Sequence, residues 1–403
     1  MYIPYKTKQS GFYKELPSDN HEIFFAIIEK KILPTIDNIY YNVFIEDDGS
    51  ERTMQKILPL LEILHNKKAK AKEIREPQPF SNGLHVTLKS AGKSMFDVCL
   101  TEPDIYDIFV NSGKLPNDLT PRIHNQLRSF GLWTRSIDSV LDESLRKTEA
   151  ILADYDLKIS HVQENRIDYC YHTNIKSDVD KIFDKRKKDF RHLKYSLDGG
   201  FGHFANKKND CMFFNYYMFG NHKGDWLARF YDKVKEVIEN GYKSFFFKMW
   251  HDNGLISFYD RYCMEYALEH KNFDYTHKAK LAFYVEFGDN DTRRKIFDDA
   301  LQNKNKSLLD YKKIADEFMP PTNPVINIEF QTHRDFYRHS DDWINRRETL
   351  ERDCHPQLKR IYQIIDNRRI FLEHLTGRCL FFADGKNADG TPNYLDWWKR
   401  IHK

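Results

Sequence analysis

The sequence is short of the features that would name a function at once. Its six cysteines (Cys99, Cys170, Cys211, Cys263, Cys354, Cys379) form no C-x-x-C pair, which excludes the usual zinc spacings. Several fall inside apolar stretches, where reduced thiols act as small core residues. No apolar run approaches the roughly 18 residues that cross a bilayer. Met1 is followed by Tyr-Ile-Pro-Tyr-Lys, not by a basic cluster and an apolar core, so a cytoplasmic chain with no signal peptide and no membrane span is expected. No glycine-rich phosphate loop occurs, and neither ATPase nor helicase activity is expected. His85 and His203 are isolated, and there is no His-hydrophobic-His metal motif. Neither sign of charge dominates: 63 Lys and Arg stand against 60 Asp and Glu, a formal net charge of +3. A general polycation is excluded, and any nucleic-acid contact has to come from local patches.

What is abundant is aromatic: 30 Phe and 23 Tyr in 403 residues. That length exceeds what one hydrophobic core usually serves, and three units are expected, at 1–80, 81–290 and 291–403. The first is a small α/β or helical unit, with helical periodicity over 54–65 and a polar stretch at 67–79 ending in Pro77 and Pro79. In the second, Leu84, Val86 and Leu88 alternate with polar residues as a strand does. Residues 94–110 read as helix, and 136–153 as a long helix. Four further strands are expected at 158–172, 212–219, 226–231 and 256–268, with a helix starting at Val234. These elements predict an α+β fold with a central, mostly antiparallel sheet and flanking helices. After residue 290 the chain reads as mainly helical and polar, with one helix over 341–366.

Three short segments carry side chains capable of chemistry. In Arg166-Ile167-Asp168-Tyr169-Cys170-Tyr171-His172, strand geometry puts Arg166, Asp168, Cys170 and His172 on one face. An acid and an imidazole so placed suit a divalent metal near a phosphate, although an Arg-x-Asp is also a common edge ion pair. In Leu227-Ala228-Arg229-Phe230-Tyr231-Asp232-Lys233, Tyr231 ends a strand between Arg229 and Lys233. A phenol with a reference pKa of ~10 needs such neighbours to act as a nucleophile near neutral pH; the plainer reading is a packed ring. In Arg261-Tyr262-Cys263-Met264-Glu265, Glu265 is an acid within an apolar run, satisfied either by Arg261 or by a metal shared with Asp168. The run Asp184–Arg191 is the densest in charge, and reads as a solvated face or as a phosphate-contacting arm through Lys185, Arg186, Lys187 and Lys188.

The order of these segments resembles the Rep_trans family, the rolling-circle replication initiators and relaxases of plasmids and integrative elements. The family carries an Arg-x-Asp strand, then an aromatic-Tyr-acid-Lys segment, then a strand with Arg and Glu. Residues 84–96, and 212–225 with Phe219-Gly220-Asn221, resemble its flanking strand and turn elements. The resemblance covers roughly 83–270. It implies a nickase-like core at 81–290 and a DNA-binding or accessory region at 291–403. It further implies a tyrosine that cuts one DNA strand and stays attached to the 5′-phosphate. Tyr231 would be that nucleophile, Arg229 and Lys233 would hold the phosphate, and Arg166 would contact DNA. Asp168, Glu265 and His172 would bind Mg²⁺ or Mn²⁺; His172 stands where the family often has a second acid. Tyr311 is the reserve nucleophile. The implied partners are origin DNA, single-stranded or hairpin, a host helicase and a second copy of the chain. Competing readings are an inactive DNA binder on the same scaffold, a hydrolase using Asp168, His172 and Glu265 with water, and a structural protein of a mobile element.

Overall fold

The computed structural model describes residues 29–46, 51–80, 83–87, 98–102, 104–110, 122–175, 202–203, 217–220, 224–241, 243–274, 276, 278–280, 282–283, 322–338 and 354–402. In chain order, the first part holds β1 (Ile32–Ile45), α1 (Glu51–Ile74), β2 (Gln78–Pro79), β3 (His85–Thr87), β4 (Val98–Glu102), β5 (Tyr106–Val110), β6 (Arg122–Arg128), α2 (Ser129–Thr134), α3 (Ile137–Ala153) and β7 (Ile159–Thr173). The middle adds β8 (Gly202–His203), β9 (Tyr217–Gly220), β10 (Trp226–Asp232), α4 (Lys233–Asn240), α5 (Phe245–Asp252) and α6 (Phe258–Glu269). The last part holds β11 (Ile326–His333), α7 (Arg334–Arg338), α8 (Lys359–Asp366), α9 (Arg368–His374), a hairpin of β12 (Ala383–Lys386) and β13 (Pro392–Tyr394), and α10 (Asp396–His402).

Period-2 patterning builds the centre. In β1, Ile39, Tyr41 and Val43 are buried while Asn38, Tyr40 and Asn42 between them are half-buried. Strands β7 and β11 repeat the rule, with Ile167, Tyr169 and Tyr171, and Ile326, Ile328 and Phe330, on the apolar side. The result is one 11-stranded sheet in the order β2-β3-β4-β5-β6-β1-β7-β11-β10-β9-β8. Each neighbouring pair runs antiparallel. Helices flank it, and the fold is α+β. β1 comes from the leading stretch and β11 from the C-terminal one, so a single sheet draws on 1–80, 81–290 and 291–403.

The apolar face packs under α3, α8 and α10. Val140, Leu141 and Leu145 of α3, Ile361 and Ile365 of α8, and Trp398 of α10 join Tyr41, Ile167 and Phe230 in one core. A second, smaller core forms from Val234, Val237, Phe246, Phe247, Trp250 and Met264 of α4 to α6 and Ile256 between α5 and α6, packed against Leu33 and Trp133. Gly220, at the end of β9, has φ +90°, and a Cβ there would lie 2.8 Å from the Trp226 carbonyl oxygen. Only glycine lets β9 close so tightly on the start of β10.

Three expected elements differ. Residues 94–110, read as helix, contain the hairpin β4–β5, which turns through Asp104 at φ 61°; residues 94–97 lie outside the described residues. Residues 256–268, read as strand, form α6. Its Ser257 Oγ accepts from the Asp260 N–H at 3.1 Å while Asp260 Oδ2 accepts from the Ser257 N–H at 2.8 Å. This reciprocal cap starts a helix in spite of the aromatic run that follows. The stretch after 290, read as helical, contributes β11. Of the helix expected over 341–366, the described part is a short turn at Pro356–Leu358 followed by α8. Among the described residues no helix is long and apolar enough to cross a membrane.

Phe230 is 1% exposed, and its ring packs against Phe219, Phe382 and Trp398. Phe230→Ala should destabilise the fold by about 3–5 kcal/mol, the usual cost of emptying a buried aromatic site. Urea unfolding checks this, and a loss under about 1 kcal/mol would mean that α10 and the β12–β13 hairpin are not packed as described.

Candidate active site

The polar side of the sheet gathers its functional side chains by register alone. Residues directly opposite one another on antiparallel strands share a face. Tyr231 of β10 lies opposite Asn327 of β11, which lies opposite His172 of β7. One row along, Arg229, Glu329 and Cys170 are aligned, and the next row holds Gln331, Asp168 and Asn38. In β1 the pairing slips between Ile36 and Asn38, leaving Asp37 as an extra residue. A bulge of this kind re-aims side chains, and Asp37 faces the same centre, its Oδ2 3.7 Å from Lys233 Nζ and 3.6 Å from Lys243 Nζ.

The Tyr231 hydroxyl is the meeting point. It donates to Glu329 Oε2 at 2.9 Å, and accepts from Asn327 Nδ2 at 2.9 Å and from Lys233 Nζ at 3.3 Å. Glu329 also accepts from Arg229 and, at 2.9 Å, from Gln331. Asp168 is held by Arg166 in a two-point contact, Nε at 2.6 Å and Nη2 at 2.7 Å, with Asn38 Nδ2 at 3.1 Å as a third donor. Both carboxylates are sealed, at 0% exposure for Asp168 and 1% for Glu329, whereas their arginines are 26% and 25% exposed. The guanidiniums therefore form the outer layer and the acids the layer that orients them.

The charges are finely set. Burial raises the phenol of Tyr231 well above its ordinary pKa, and Glu329 adds to the rise. Burial works against a charged Lys233, yet Asp37 and Glu236 outweigh it and raise its pKa; Glu236 lies 2.7 Å from its Nζ. Burial also works against an ionised Asp37, but Lys233 and Lys243 hold its pKa well below the carboxylate range. Between the two central acids the proton is unequally shared. Burial pushes Asp168 up to about 6, with Arg166 pulling down and the Glu329 charge pushing further up. Glu329 also loses solvation, but Arg229 brings its pKa below the ordinary value.

The structure brings part of the expected set together. Tyr231, Arg229, Lys233, Arg166 and Asp168 stand on one face around one centre. Lys233, expected on the phosphate, is instead fully buried and reaches the phenol oxygen. Glu265, expected on a strand beside Asp168, lies on α6 and its Oε1 accepts from Arg261 Nε at 2.7 Å, one helical turn away. The second acid of the centre is Glu329. His172, expected as a metal ligand, is buried between Trp133, Phe246 and Trp250. Its Nδ1 accepts the Trp250 indole N–H at 3.0 Å, which leaves Nε2 to carry the ring hydrogen. Burial and Lys233 push its pKa well below the usual value, so it is a neutral core residue with no lone pair to offer at Nε2. Lys185, Arg186, Lys187, Lys188 and Tyr311 lie outside the described residues. Sequence reasoning missed Glu329, Asn327 and Gln331, although Ile326-Asn-Ile-Glu-Phe-Gln alternates without a break, as a half-buried strand does.

The expected Mg²⁺ or Mn²⁺ does not fit the carboxylates as they are paired. Glu329 accepts from Arg229, Gln331, Tyr231 and Asn327, and Asp168 from Arg166 and Asn38. Each acid is neutralised by its own guanidinium, and of about four acceptor sites on each all are used on Glu329 and three on Asp168. Asp37, Cys170 and Glu329 bring ligand atoms within 4.8 Å of one another. There, however, Lys233 supplies the positive charge, and burial raises the Cys170 thiol far above its ordinary pKa.

No protein-family model matches the chain, and no curated protein does. Among solved structures the chain is similar to the rolling circle replication initiator protein from Geobacillus stearothermophilus, at 12% identity and a TM-score of 0.34, covering 92% of this chain and 96% of that one.

The raised pKa of Asp168 has a consequence for stability. Its folded value of about 6 lies above the ~3.9 of an unfolded aspartate. The fold thus binds the proton more tightly, so the stabilisation is fully present below pH ~4 and is lost as pH rises towards 6. Urea unfolding from pH 4 to pH 7 should show wild type losing roughly 1–3 kcal/mol relative to Asp168→Asn. Parallel curves for the two proteins would contradict it.

Proposed function

We propose that the chain is a DNA nicking-closing protein that initiates rolling-circle replication or transfer, with Tyr231 as nucleophile. The observation that carries this reading is the hydroxyl of Tyr231 held between a carboxylate, an amide and an ammonium, beside two partly exposed guanidiniums. A tyrosine packed only for its ring needs a partner for its hydroxyl, as Tyr41 finds in Ser144, but not three at once. DNA as the substrate follows from the order of the Arg166-x-Asp168 and Phe230-Tyr231-Asp232-Lys233 segments, which resembles that of the nickases.

In this reading Arg229 and Arg166 receive the phosphate of a single-stranded or hairpin origin on their exposed sides. The phenol oxygen attacks phosphorus, its bond to phosphorus forms, and the P–O3′ bond breaks. The phenol proton passes to Glu329 Oε2, and the departing 3′ oxygen takes one from solvent. Asn327 and Lys233 stabilise negative charge as it develops on the phenol oxygen, and the guanidiniums do so on the phosphate. The product is a 5′-phosphotyrosine and a free 3′-hydroxyl, and the reverse attack closes the strand. Asp168 does not touch the reacting atoms; it fixes Arg166.

Wild-type protein with labelled single-stranded origin DNA should give an adduct that survives denaturing electrophoresis, assayed with and without Mg²⁺. Tyr231→Phe should retain DNA binding and give none, and Glu329→Gln should slow adduct formation by about 10²–10⁴-fold. Cleavage that persists in Tyr231→Phe without an adduct would favour a water-using hydrolase. Binding with no adduct from wild type would favour an inactive origin-binding protein.

A further inference from the structure

Asp168 is a fully buried acid whose charge is matched by one side chain. Arg166 grips both of its oxygens, at 2.6 and 2.7 Å, and Asn38 adds a third contact at 3.1 Å. The same guanidinium lies over the ring of Tyr40, 4.8 Å from its centroid, a second contact that holds it in place. It is also the layer between Asp168 and solvent, at 26% exposure against 0%. A divalent cation needs oxygen lone pairs directed at it from close range. At Asp168 those lone pairs already point into Arg166. Any ion reaching this acid from outside meets a fixed positive charge first.

We propose that in the free protein Arg166 holds the place of a divalent cation at Asp168, so that guanidinium and metal ion compete for one carboxylate. The two states are mutually exclusive, because both require the same pair of oxygens. With the guanidinium gone, burial and the charge of Glu329 remain, and Asp168 has to bind either a proton or another cation. A cation would then meet a need that Arg166 now meets. Competition for Asp168 does not depend on Tyr231 acting as a nucleophile, and a failed adduct assay leaves it untouched.

Titration calorimetry of the full chain with MnCl₂, without DNA, tests it. Wild type should bind weakly, in the millimolar range or above. Arg166→Gln should bind Mn²⁺ at least tenfold more tightly, and adding Asp168→Asn should abolish that gain. Arg166→Lys, which keeps a charge but loses the two-point grip, should fall between the two and serves where Arg166→Gln fails to fold by circular dichroism. Tight binding by wild type that is lost in Asp168→Asn overturns the proposal. So does an arginine variant with no gain, or a gain that persists in the double variant.

Discussion

Everything at the centre of this molecule follows from how two acids are kept ionisable inside a sheet. Asp168 and Glu329 have almost no access to water, and an isolated buried carboxylate is too costly to keep charged. The protein answers by placing an arginine two residues away on the same strand in one case, and directly across the strand pair in the other. Both solutions need an antiparallel sheet in fixed register. A slip of one residue in β10 against β11 would turn Arg229 to the apolar side and strand Glu329. The register is held by the opposite face, where Phe230 and Phe330 are locked under α10.

The sheet thus divides its labour by side. One face is a continuous apolar layer under helices. The other carries amides, acids and cations that are partly solvated towards Arg166 and sealed towards His172. The sealing comes from α5 and α2, whose Phe246, Trp250 and Trp133 rings enclose His172. Lys233 belongs to both regions: it opens α4, and its ammonium projects into the centre. Asp37, displaced by the bulge in β1, meets it from the other side. Neither Asp37 nor Lys233 can act directly on a large ligand outside, so their effect is confined to the phenol and its neighbours.

Half of this was legible from residue order. The alternation around Asp168 and Tyr231 correctly put Arg166, Asp168, Arg229 and Tyr231 on one face, and the helix at 137–153 stood out by its period. The rest was hidden by local signals that pull the other way. Phe258-Tyr259 and Tyr262-Cys263-Met264 favour a strand by composition, and the short cap of Ser257 with Asp260 overrides that preference. Glu265 followed it from a sheet to a helix surface. β11 was lost because eight alternating residues sit inside a long polar stretch. His172 misled for a different reason: nothing in sequence says that an indole N–H arrives from 78 positions away.

The placement of β1 and β11 has a bearing on how the chain reaches this state. The strands at the middle of the sheet are β1, β7 and β11, which come from residues 32–45, 159–173 and 326–333. Such pairing closes very long loops, which slows folding. During synthesis β7 has one neighbour early, but its other edge stays unpaired until residue 333 has left the ribosome. An exposed inner edge rich in Tyr, Ile and Cys is prone to join other chains. The nascent protein is therefore vulnerable from the completion of β7 until β11 emerges, and no fragment ending between them is expected to be soluble alone.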